Sequence, residues 1–82
     1  MIKIIQARYI GDYQVELSFS DGMTGIFDGE SLLKRSGPLL KPLNDELFFQ
    51  RFFVDFGALS WPHGLELSPA KLYLSCKLHK VA

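Results

Sequence analysis

Two histidines, one cysteine and nine acidic residues are the side chains of this 82-residue chain with the most obvious chemical potential, and their spacing decides how far they can use it. Cys76 and His79 stand in C-x-x-H spacing, which on a helix would bring them together across one turn. A metal centre built on that pair needs at least one further ligand, and His63 is the other soft donor in the chain. A nucleophilic Cys76 would need a base to lower its pKa, plus an orienting group and an oxyanion hole that the sequence does not supply. A buried helix cysteine beside a surface histidine explains the pair more simply. The carboxylates Asp21, Asp28, Asp45, Asp55 and Glu66 are scattered over several elements; Asp21 suits a turn and Asp28 a cap. Neither G-x-G-x-x-G nor a Walker-type lysine motif occurs. The reading is therefore against an enzyme, with no catalytic set, no metal and no cofactor expected. The competing reading is a small hydrolase-like or metal-dependent enzyme using His63, Glu66, Cys76 or His79.

The stretch Trp61-Pro62-His63-Gly64-Leu65-Glu66-Leu67-Ser68-Pro69 combines a large aromatic, two prolines and a titratable imidazole ahead of a helix. Trp61 first suits a plug closing one end of the core. Loops on a rigid scaffold are nonetheless where recognition concentrates, and Trp is favoured as an interface anchor. Trp61, His63, Glu66 and Tyr73 are accordingly the candidate partner-binding residues. A protein partner, or self-association through an exposed strand edge, is expected.

Nine Lys plus Arg balance nine Asp plus Glu, so the chain offers no overall field for phosphates. From Lys71 onward Lys71, Lys77, His79 and Lys80 occur without an acid, which reads as a solvated basic helix end. A weak nucleic-acid-binding module is the third reading. A lone cysteine forms no intrachain disulfide, and the start lacks a signal-peptide pattern. The longest charge-free stretch, Phe56 to Leu65, is too short to span a bilayer. A cytoplasmic location with no membrane contact is expected.

The elements that must position these residues form a single α+β domain over residues 1–82: an N-terminal three-stranded antiparallel meander, short helices, a second β-hairpin and a C-terminal helix. Val15, Leu17 and Phe19 alternate with polar residues, the period of a half-buried strand, and Asp21-Gly22 marks a tight turn. A two-residue loop there pairs Phe19 with Thr24 and Leu17 with Ile26. The first strand, Ile2 to Ile10, buries its more apolar set Ile5, Ala7 and Tyr9 if a three-residue loop or a bulge adjusts its register. Glu30 to Arg35 reads as a short helix, Leu39 to Leu43 as an extended connector, and Asn44 as the cap of a helix running to Gln50. Five phenylalanines between Phe48 and Phe56 read as core, either on one continuous helix or, preferred, on a helix followed by a strand that turns at Gly57. Ser68-Pro69 starts a helix reaching about Lys77. The apolar side chains are all expected to be consumed in the interior.

Asp21-Gly22, Asp28, Leu32-Leu33, Pro42-Leu43 with Asp45, Val54-Asp55, Gly57 and the run Trp61 to Tyr73 together resemble the bacterial family known as domain of unknown function 2442. The resemblance covers about Ile2 to Tyr73. It implies an α+β domain opening on an antiparallel meander. Some relatives carry a helix-turn-helix domain after this one, which implies regulation, though a chain ending at Ala82 is expected to lack that reader. Genes of the family neighbour another small protein, which implies a two-component, toxin–antitoxin-like pair. Glu66 stands where relatives usually have Asp.

Overall fold

The computed structural model describes residues 1–35 and 37–80, with the backbone alone for 77–80. Strands β1 (Ile4–Gly11), β2 (Gln14–Phe19) and β3 (Met23–Asp28) form the expected antiparallel meander. Asp12 and Tyr13, both at positive φ, make the two-residue turn between β1 and β2. The register of β1 is set by irregularities at both ends. Ile4 faces Phe19, but Gln6 faces Ser18, so Ile5 is the extra, bulged residue. Ala7 and Tyr9 then face Leu17 and Val15 as expected, while Ile4 takes the buried place assigned to Ile5, which points to solvent.

The second turn corrects the sequence reading by one residue. Ser18 pairs with Thr24, Leu17 with Gly25 and Val15 with Phe27, so the loop holds three residues, Ser20 to Gly22. Gly22 at φ 89° donates its N–H to the Phe19 carbonyl, and Asp21 Oδ1 accepts from the Met23 N–H. A three-residue loop with a left-handed glycine at its last position absorbs the extra residue. Phe27, not Ile26, thereby joins the buried face.

Helix α1 (Glu30–Leu33) begins where Asp28 Oδ1 accepts the Glu30 N–H. Residues Lys41–Asn44 form a 3-10 turn, not an extended connector; Pro42 at its first turn fits a helical φ as readily as an extended one. Asp45, not Asn44, caps helix α2 (Glu46–Phe49), its carboxylate accepting the Leu47 N–H. The chain then changes period into β4 (Phe53–Asp55) and β5 (Ala58–Ser60). A further short strand, β6 (Glu66–Leu67), pairs with β5, so the expected hairpin is a three-stranded sheet in the order β4-β5-β6.

Helix α3 (Pro69–Ser75) follows Ser68, whose hydroxyl makes no capping bond, and it ends two residues before the expected Lys77. Lys77–Lys80 is strand β7, which pairs antiparallel with β3 and extends the meander to the order β1-β2-β3-β7. The basic residues after Cys76 are thus not a helix end. An unfilled sheet edge beside β3 offers backbone hydrogen bonds that a frayed helix terminus lacks.

One cluster joins the layers: Ile4, Val15, Leu17, Phe19 and Phe27 from the first sheet meet Leu32, Leu43, Phe49, Leu59, Trp61, Leu72 and Cys76. The interior does not absorb every apolar side chain. Phe53 and Phe56, both expected in the core, are 45% and 97% exposed, and Ile5, Leu47 and Leu74 are exposed as well.

Candidate functional site

The loop after β5 is closed by its own backbone. Trp61 donates its N–H to the Leu65 carbonyl at 2.9 Å, and Gly64 donates to the Trp61 carbonyl at 3.1 Å. Pro62 and Gly64, at φ 102°, supply the turn. Trp61 is 2% exposed; its indole N–H donates to the Phe49 carbonyl at 2.8 Å, and its ring lies 5.7 Å from Phe49 and 6.3 Å from Phe52. It closes the core at the free carbonyl end of α2, where a helix leaves acceptors without partners.

His63 is half-buried, its ring edge-on to Phe48 at 5.0 Å. Nε2 lies 2.6 Å from the Leu39 carbonyl, and because a carbonyl only accepts, the proton sits on Nε2. Nδ1 is buried and without a hydrogen-bond partner among the described residues. The imidazole pins the loop before the 3-10 turn to the Trp61 loop.

Tyr73 lies elsewhere. Its hydroxyl donates to Asp21 Oδ2 at 2.5 Å and its ring packs edge-on to Phe19 at 5.0 Å, tying α3 to the β2–β3 turn. The bond holds the Asp21 carboxyl below its ordinary pKa, with the Met23 N–H adding to the effect, and raises the phenol of Tyr73. Glu66 is exposed on β6, opposite Ser60, and lines a groove running between α1 and α3. The four expected residues thus fall into three neighbourhoods. Trp61 and His63 share the α2 wall, Tyr73 sits at the opposite turn, and Glu66 faces the groove.

Cys76 is buried, and desolvation raises its thiol to about 11, which leaves almost no thiolate at neutral pH. His79 lies on β7, so the one-turn helical approach expected for the pair does not arise. Among the described residues no group of three or more His, Cys, Asp or Glu could hold a metal ion. No helix of the described chain is long and apolar enough to cross a membrane.

The surface that sequence reasoning missed is the tip of the β4–β5 hairpin. Asp55 pairs with Ala58, leaving Phe56 and Gly57 as a two-residue turn with φ of 50° and 81°. Such a turn wants Asn, Asp or Gly at its first central position. A phenylalanine there is held in a left-handed conformation that costs about 1–2 kcal/mol, and at 97% exposure it makes no compensating contact. Tyr13 shows what compensation looks like. It too has a positive φ, of 62°, but its ring packs 5.0 Å from Phe49 and its hydroxyl donates to the Asn44 carbonyl at 2.8 Å. The Phe56 tip is rigidly mounted: Ile4 donates its N–H to the Gly57 carbonyl at 2.9 Å, and Gly57 is packed against the Lys3 side chain. Ile5, which follows Ile4 at this junction, adds exposed apolar surface, and Phe53 is exposed at the other end of β4. The signal was present in the dipeptide Phe56-Gly57 between two strand-like runs, because a glycine at the second turn position throws its neighbour outward.

The family described as protein of unknown function (DUF2442) matches residues 4–77, nearly the whole of the described fold. No curated protein and no solved structure matches the chain.

Proposed function

The chain belongs to the DUF2442 family, and from that premise we propose that it is a protein-binding module acting in a regulatory, toxin–antitoxin-like pair in the bacterial cytoplasm, with Phe56 as the anchor that enters an apolar pocket on its partner. The observation that carries this reading is Phe56 itself, strained and unsupported at the tip of a fastened hairpin. Strain held at an exposed site without an internal contact to offset it is characteristic of functional positions. An exposed aromatic is also the kind of side chain that dominates interface energies. The balanced charge supports a protein partner over a polyanion.

In this reading Trp61 and His63 act structurally, fixing α2 and its flanking turns. Glu66 faces the α1–α3 groove and Tyr73 the β2–β3 turn, so neither is assigned to the Phe56 anchor. The test is capture of the neighbouring gene's product by the wild-type chain and by Phe56→Asn in parallel. Binding by the wild type that drops at least tenfold in the variant supports the anchor role. Equal binding by both, or no association with that product, removes it.

A further inference from the structure

Between α1 and α3 runs a groove of about 350 Å³ that none of the preceding chemistry uses. Its floor is apolar, made by the buried side chains of Phe27, Leu32 and Leu72. Its rim carries Arg35 and Lys71, both exposed, whose side chains are neither hydrogen-bonded nor ion-paired within the described residues, where Arg8–Glu16 is the ion pair formed. The volume lies in the range of small-molecule sites. Glu66 is the acid on the rim, so the groove carries one net positive charge.

The hydroxyls sharpen the picture. Ser31 and Ser75 spend their protons on the carbonyls of Asp28 and Leu72. Ser68 occupies the position before α3 where a serine ordinarily caps the helix, yet its side chain makes no capping bond and lines the groove. Among the described residues its hydroxyl has no hydrogen-bond partner, so it can donate to a ligand. Two cations, one uncommitted hydroxyl donor and an apolar floor form a complementary set for one ligand chemistry.

We propose that this groove binds a small amphipathic anion: a phosphate or carboxylate held by Arg35, Lys71 and Ser68, carrying an apolar body that lies on Phe27, Leu32 and Leu72. The site is separate from the Phe56 tip and stands or falls independently of it. Glu66 opposes the anion, which makes the charge pattern diagnostic. Removing the acid tightens binding, whereas removing either cation loosens it.

The probe is phenyl phosphate, titrated at low salt into the isotope-labelled full chain and followed by backbone amide shifts. Saturable shifts of the Leu32, Lys71 and Leu72 amides are expected at roughly millimolar concentration, as a ligand of this size allows. Arg35→Gln and Lys71→Gln each weaken the affinity by roughly two- to five-fold, and Glu66→Gln strengthens it by a similar factor. Inorganic phosphate, lacking the apolar body, binds more weakly. Four results overturn the proposal: no saturable shift, equal affinity for inorganic phosphate, weaker binding by Glu66→Gln, or tighter engagement of the same amides by a single-stranded oligonucleotide. The last would mark the groove as part of a nucleic-acid surface.

Discussion

Replacing Phe56 by asparagine should make the protein more stable while making it a poorer binder, and the two effects have separate physical causes. The side chain is 97% exposed, so its removal forfeits almost no buried area. Its φ of 50° is a conformation that asparagine adopts at less cost than phenylalanine. Asparagine before Gly57 also forms the dipeptide best suited to this turn. The expected gain is about 1 kcal/mol, which for a domain of this size raises Tm by roughly 4–8 °C. Tyr13→Asn is the matched control. It relieves the same kind of backbone strain but loses packing on Phe49 and the bond to the Asn44 carbonyl, so it should destabilise by about 1–3 kcal/mol. Thermal melts followed by circular dichroism decide both. A Phe56→Asn protein that melts lower than wild type would refute the reasoning, because it would mean that Phe56 makes stabilising contacts.

Gly29→Ala should destabilise by about 1–3 kcal/mol or more in a denaturant titration: a Cβ there would lie 2.4 Å from Phe49 Cζ and 2.7 Å from the Tyr13 carbonyl oxygen, and Phe49 is fully buried. Trp61→Phe should cost about 2–4 kcal/mol in the same assay, since it leaves the Phe49 carbonyl without its donor and opens a void beside Phe52. Cys76 should resist alkylation at pH 8 in the native protein and react at the ordinary rate in denaturant, because its thiol titrates at about 11; rapid native labelling would reopen the nucleophile reading. The Asp21–Tyr73 bond should give a pH-dependent Tm difference between wild type and Tyr73→Phe. Asp21 is depressed in the fold, so its contribution is full above its unfolded pKa and disappears as pH falls through the folded value. Tyr73 is raised, so its contribution is full below pH 10 and fades as pH rises through its folded pKa. A difference that stays constant below pH 3.8 would contradict the assignment of this bond.

Local chemistry alone was enough to determine much of the fold. The alternation of Val15, Leu17 and Phe19, the turn at Asp21-Gly22 and the start at Ser68-Pro69 each declare their element within a few residues. Whether Phe49 and Phe53 share one helix or switch into a strand is settled by pairing with β5, and the thiol of Cys76 is raised by its burial in the shared core. What tertiary structure decided is the set of choices in which neighbouring solutions cost nearly the same locally. A three-residue loop in place of a two-residue one moved Phe27 inward in place of Ile26. A bulge at Ile5 exchanged it with Ile4, because only one of them can meet Phe19 once Ala7 and Tyr9 are committed. The residues after Cys76 became a strand because β3 presented an open edge, a partner more than fifty residues away that no window of sequence contains. The same reason hid Phe56: a phenylalanine run looks like core until the hairpin is closed, and closing it left no space inside for the residue at its tip.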